Sequence, residues 1–210
     1  MIFFRKPMTE AKEKSSISFS LVLPRVAALI VGLATFSISL WWLAGESISR
    51  SPDVAAKFAA VRGDLWKLAG WARLRAAESS GEQAKDAFER ALELSPMDSD
   101  AWFGLALATE RFGWLGRNSA QALKMSYYTG FNSRSLIADR LLLLARTETA
   151  DSPELQDLLR RQVGLILRRL PELRPAIEQA YSTATGLNRQ LIEAAYRERG
   201  EDRPGSALKP

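Results

Sequence analysis

Glu89, Glu93, Asp98 and Asp100 are carboxylates set close together in the chain. A pair of such groups can work as general acid and base on a glycosidic bond. The plainer reading, adopted here, is helix-surface charge and helix caps. Arg160-Arg161 and Arg168-Arg169 form a second cluster. Arg161 and Arg168 lie seven residues apart, nearly two helical turns, so they share one helix face. With Arg174 they make a candidate basic face for a phosphate, a polyanionic glycan or anionic lipid head groups. Its alternative is a solvated, arginine-rich face opposite an apolar stripe. Arg62-Gly63-Asp64 spells an adhesion tripeptide, and Asp64 is read as the cap of the following helix. The sequence contains neither a Gly-rich phosphate loop nor a nucleophile elbow.

The chain has no Cys and no His. Zinc sites built on thiolate or imidazole, covalent haem attachment, Cys–His catalysis and Ser–His–Asp triads are therefore excluded. No catalytic residue, metal site or cofactor is expected, and the chain is read as a non-enzyme. Without Cys there is no disulfide framework, so composition says nothing of redox compartment. Length 210 allows one domain with a real core plus an appendage, and 47% hydrophobic with 25% charged residues describes a folded chain. The net charge of +5, mostly arginine, is compatible with anionic lipid or nucleic acid. Nucleic acid is not expected, because no aromatic residues interleave with the basic ones to stack bases.

What must position these groups begins with a membrane segment. Val26 to Leu43 reads VAALIVGLATFSISLWWL, a run without a single charge. At about 1.5 Å per residue it spans about 27 Å, close to the bilayer's hydrocarbon core. Pro24 stands at its entrance, Arg25 can snorkel to phosphate, and Trp41-Trp42 mark the other interface. A cleaved signal peptide would end in small residues, whereas this run ends WWLAGES. Arg5, Lys6, Lys12, Lys14 and Arg25 precede or open the span, against Arg50, Lys57 and Arg62 after it. That excess places the amino terminus in the cytoplasm and the main domain in the periplasm of an inner membrane.

Beyond the span everything reads helical, with a start at Ser51-Pro52 and no run of period two. Breaks fall at Ser79-Ser80-Gly81, Pro96, Gly113 to Asn118, Gly130 to Ser133, Thr147 to Pro153, Pro171 and Gly186. Between them, Ala84, Phe88, Ala91 and Pro96 follow the pattern A-x3-F, then A, then P. Asp98 or Ser99 can cap a new helix carrying Trp102-x2-Leu105-Ala106. Leu68-x2-Trp71-Ala72 precedes it in the same register, one repeat period earlier. These residues resemble the tetratricopeptide repeat family over one full repeat, about Leu65 to Asp98, and the first helix of another. The resemblance implies small residues where antiparallel helices touch, Phe88 filling the gap between hairpins, and Pro96 ending a helix. It implies burial of Ala84, Phe88, Ala91, Trp102, Leu105 and Ala106. Arg75 and Thr109 stand where the family has tyrosine, and the return helix Ser119 to Tyr128 has slipped within its repeat.

Later helices must complete the array. Leu136, Arg140, Leu143 and Leu144 share one helix; Leu155, Leu158, Leu159, Val163, Ile166 and Leu170 form a stripe in the next. Leu173, Ile177, Ala180 and Tyr181 continue it, and Leu187, Leu191 and Ala195 cap the end. The expected organisation is a tail 1–23, a transmembrane helix 24–44, a linker 45–52, hairpins 53–130, further helices 131–199 and a flexible tail 200–210. The fold class is all-α, a single amino-terminal transmembrane helix followed by a tetratricopeptide-like hairpin array. Such arrays bind a protein or peptide on the wall lined by the first helix of each hairpin. Lys67, Arg75, Phe103 and Glu110 are the candidate contacts there, with Arg75 and Glu110 selecting a peptide that carries both signs of charge. The function expected is a membrane-anchored interaction scaffold; the resemblance extends to accessory proteins of bacterial envelope systems, exopolysaccharide synthesis and export among them. The alternative is an assembly or regulatory subunit contacting an inner-membrane complex mainly through its span.

Overall fold

A computed structural model of the chain describes residues 19–48, 62–76, 81–112, 117–149, 151–201 and 204. Among them the fold is all helical, with no strand. The chain divides into two compact units, 1–46 and 47–210.

In the first unit, α1 runs Phe19–Ile48. Its segment Pro24–Ala44 has a mean hydropathy of 2.0 and is long and apolar enough to cross a membrane. None of that segment is buried; Leu29, Leu33 and Phe36 stand exposed, so the apolar surface goes all the way round. Two of its interior hydroxyls return to their own helix. Thr35 Oγ1 donates to the carbonyls of Val31 (2.8 Å) and Gly32 (3.0 Å), and Ser39 Oγ to that of Thr35 (2.8 Å). Hydroxyls satisfied this way need neither water nor a neighbouring helix. Two expected boundaries shift. Pro24 lies inside the helix rather than at its first position, where its missing N–H removes one backbone bond near the amino-terminal end. Residues 45–48, expected in the linker, continue the helix. The Ser51-Pro52 start and the basic residues Arg5, Lys6, Lys12, Lys14, Arg50 and Lys57 fall outside the described residues.

Among the described residues the second unit has, first, two helical hairpins: α2 (Gly63–Arg75) against α3 (Gly81–Leu94), and α4 (Ser99–Arg111) against α5 (Arg117–Gly130). Asp98 caps α4, its carboxylate accepting from the backbone N–H groups of Asp100 (3.0 Å) and Ala101 (3.1 Å). Asp64 does not cap α2. It sits in the first turn with its carboxylate clasped by Arg62, whose Nη2 is 2.5 Å away. The α4–α5 hairpin is close enough for side chains to reach across to backbone. Ser119 Oγ donates to Ala106 O (3.0 Å) and Ser126 Oγ to Ser99 O (2.7 Å).

Four helices follow: α6 (Ile137–Arg146), α7 (Pro153–Arg169), α8 (Arg174–Thr183) and α9 (Gly186–Arg197), with 3-10 turns at Arg134–Leu136 and Pro171–Leu173. They do not continue as hairpins of consecutive helices. The main partner of α6 is α8, and that of α7 is α9. The apolar stripe of α7 is buried as expected, from Leu155 to Leu170. Asn188, wholly buried, locks the interleaved layers. Its Nδ2 donates to the carbonyls of Leu144 (3.1 Å), Ala145 (2.9 Å) and Thr147 (2.8 Å), all at the carboxyl end of α6, and Thr149 Oγ1 donates to its Oδ1. Those carbonyls lie where a helix end leaves acceptors unpaired.

Candidate functional site

The contact between the two hairpins is organised by one ring. Phe88, on α3, is fully buried, edge-on to Trp71 with ring centroids 5.4 Å apart at 81°. A Cβ placed on Gly70 would come within 2.9 Å of that ring, and one on Gly104 within 2.2 Å. These two glycines, on α2 and α4, stand 34 residues apart, and Phe88 sits in the slot between them. Ala84, Ala91 and Ala106 are also buried, each at 1% exposure or less. Trp102 and Leu105 are only half-buried, contrary to expectation. Phe103 takes the inner place beside Trp71 instead, and the Trp102 indole turns outward to donate to Pro96 O at 2.8 Å. Pro96 itself is exposed.

The four candidate groove residues do not form one open wall. Phe103, expected as a contact, is 3% exposed and packs against Trp71 with centroids 6.1 Å apart. A phenyl ring beside the small residues Gly104 and Ala106 is drawn into the core, where burial stabilises it by about 1.5–3 kcal/mol. Lys67 is engaged by its own chain, with Nζ 2.7 Å from Asp98 and 3.5 Å from Asp100. Asp100 also accepts from Trp71 Nε1 at 3.3 Å. Burial pulls the Lys67 ammonium down, but the Asp98 hydrogen bond and the two carboxylate charges outweigh it, so the group titrates above its ordinary value. Burial likewise pushes Asp98 up; the Lys67 bond and the α4 backbone amides prevail and hold it below the usual carboxylate range.

Arg75 is exposed, and its Nε donates to Trp71 O at 3.1 Å. Glu110 pairs with Arg146, at 3.1 Å, rather than standing with Arg75 as a two-sign recognition pair. Thr109, which stands where the resemblance would put a tyrosine, is buried with Oγ1 donating to Leu105 O at 2.7 Å. The remaining carboxylates of the imagined acid pair have cationic neighbours of their own: Glu89 meets Lys85 at 3.5 Å, and Glu93 meets Arg90 at 2.8 Å.

The structure adds Arg140, which in sequence reads as one more member of the leucine-rich face of α6. Its side chain is wholly buried, with Nε donating to Ser126 Oγ (2.9 Å), Nη1 to Gly130 O (2.7 Å), and the guanidinium 5.3 Å from the Tyr127 ring centroid. It fastens the carboxyl end of α5, where orphan carbonyls and the helix dipole favour a cation. Its spacing among leucines carries no charge signal that could set it apart.

The carboxyl-terminal basic residues divide. Arg161 and Arg168 line one cleft of about 300 Å³ between α7 and α9, joined by Arg160 and Arg199. Arg174 is engaged elsewhere, 2.9 Å from Glu201. Gly200, at φ +66°, turns the chain after α9 so that Glu201 N donates to Tyr196 O at 3.2 Å, which brings that carboxylate back. Residues 200 and 201, expected in the flexible tail, are thus tied down, and most of 202–210 falls outside the described residues. No protein-family model, curated protein or solved structure matches the chain.

Proposed function

We propose that this chain is a non-enzymatic, membrane-anchored protein-binding scaffold of tetratricopeptide type. One observation carries the reading: Phe88 is held between Gly70 and Gly104, at the period and position where such repeats stack. α1 is the anchor, and the resemblance carries the proposal to the bacterial envelope, with the helical unit on the periplasmic side and exopolysaccharide synthesis or export among the systems served. The wall formed by α2 and α4 is the binding surface. Arg75 is its recognition cation, because it is exposed and its Nε bond to a backbone carbonyl steadies the guanidinium without neutralising it. Lys67 and Glu110 act there as parts of fixed ion pairs. The test is recovery of a partner by the full chain in mild detergent. Arg75→Glu is expected to lower recovery about tenfold with helicity unchanged. Loss of recovery on reversing Arg161 and Arg168 alone, with Arg75→Glu harmless, moves the binding surface off the hairpin wall and ends this reading.

A further inference from the structure

We propose that the cleft between α7 and α9 is an oxyanion site for a phosphoryl group. On α7, Arg160, Gly164 and Arg168 stand at i, i+4 and i+8, one ridge with a gap in its middle. Gly164 and Ala195 of α9, both small and buried, line the cleft together. The gap lets Arg199 lie across the ridge, its Nη2 3.5 Å from where a Gly164 Cβ would be. The result is a concave space of about 300 Å³ rimmed by guanidinium groups, at the small end of ligand-binding cavities.

Convergence of charge separates this cleft from an ordinary solvated face, because four arginines line one concavity. Elsewhere on the unit Arg62, Arg90, Arg134, Arg146 and Arg174 each form an ion pair with a carboxylate, while Arg73, Arg75, Arg111, Arg140, Arg169, Arg189 and Arg197 form none among the described residues but do not line a common cleft. Within the cleft Asp157 is taken by Arg161 at 2.6 Å. Arg160, Arg168 and Arg199 have no such carboxylate among the described residues. Arg168 Nε donates to Gly164 O at 3.1 Å, which fixes the stem of its guanidinium while leaving both Nη groups to a ligand. Glu198 also lines the cleft without an ion pair among the described residues. Counting Asp157 and Glu198 against four arginines leaves a surplus of two positive charges. Converging like charges repel, and an anion between them relieves that repulsion. Planar guanidinium forks match tetrahedral phosphoryl oxygens two by two. No aromatic ring lines the cleft, so nothing in it would stack a base. The phosphoryl group belongs either to a phospholipid head group or to a soluble phosphate ester.

The test uses the full chain in nanodiscs of uncharged lipid, titrated calorimetrically with inorganic pyrophosphate. One saturable site per chain is expected. Arg168→Gln and Arg199→Gln should each weaken it about tenfold, whereas Arg174→Gln, outside the cleft, should leave it unchanged. Glu198→Gln should tighten it about threefold by removing a like charge, a gain that misfolding cannot imitate. Absence of saturable binding overturns the proposal, as does equal weakening by Arg174→Gln and Arg199→Gln, which would mark a diffuse field. Repeating the titration in nanodiscs charged equally with a phospholipid or a fatty carboxylate separates the two sources. Competition by the phospholipid alone assigns the site to lipid head groups; equal affinity in both discs assigns it to a soluble phosphate ester.

Discussion

At the scale of single residues, the slot around Phe88 joins sequence to packing most directly. A methyl added at Gly104 would stand 2.2 Å from the ring, far inside van der Waals contact, and at Gly70 2.9 Å from it. Gly104→Ala is therefore expected to cost about 1–3 kcal/mol by overpacking, and Phe88→Ala about 3–5 kcal/mol through lost burial and a cavity. The two sites share one contact, so their effects should not add. In a Phe88→Leu background the Gly104→Ala penalty should shrink, measured as a coupling energy from denaturant unfolding of the four variants. Full additivity would show that ring and glycine do not meet. The alanine and phenylalanine positions are legible in sequence because their spacing is that of a helix pair. The glycines are not, since a missing side chain signals a close approach only once its neighbour is known. Phe103 misleads for a related reason: its helix position fits an inward-facing wall, but only the structure places it beside Trp71, inside the core.

Among elements, the Lys67–Asp98 pair ties the start of α4 to α2 while Asp98 also caps α4. Its pH dependence follows from the two shifts. The folded value of Asp98 is depressed, so its contribution is complete above the unfolded carboxylate value and lost as pH falls through the folded one. Lys67 is raised above 10.5, so its contribution is complete below that value and lost as pH rises through the folded one. Asp98→Asn keeps a capping acceptor but removes the charge. It is expected to cost about 0.5–1 kcal/mol at neutral pH and to flatten the acid flank of the stability profile relative to the parent. A parallel shift of the whole profile would show that the pair carries no linkage. Helix existence is legible here: the apolar stripe of α7 and the breaks near Pro96 and Pro171 all appear where periodicity puts them. The pairing of α6 with α8 and α7 with α9 is not. A stripe shows which face a helix buries and is silent on which helix covers it. Asn188, whose bonds hold that interleaving, looks from sequence like any polar residue in the first turn of a helix.

For the molecule as a whole, the chain combines a helical unit with a core running through α2 to α9 and an apolar helix whose segment Pro24–Ala44 holds no buried residue. Exposed leucine, isoleucine and phenylalanine over 21 residues cannot stay in water without association. The hydroxyls of Thr35 and Ser39 are already bonded inside the helix, so these two groups call for no partner helix. That observation favours an anchor over the alternative in which the span makes the main protein contact. Apolar run length and charge absence make the segment visible in sequence, since a bilayer imposes both on any helix that crosses it. The proposed direction of crossing rests on charge counting alone, with most of the lysines and arginines counted lying outside the described residues. The expected behaviour is specific. The full chain should stay with the membrane pellet after alkaline carbonate washing, because peripheral charge contacts are stripped and a spanning helix is not. Removal of residues 24–44 should release the remainder into the supernatant with the helical circular dichroism of its own compact unit intact. Substituting three arginines in the cleft between α7 and α9 should leave the full chain in the pellet, since a head-group contact adds to anchoring without supplying it. Release of the intact chain by carbonate alone would show that α1 does not span a bilayer.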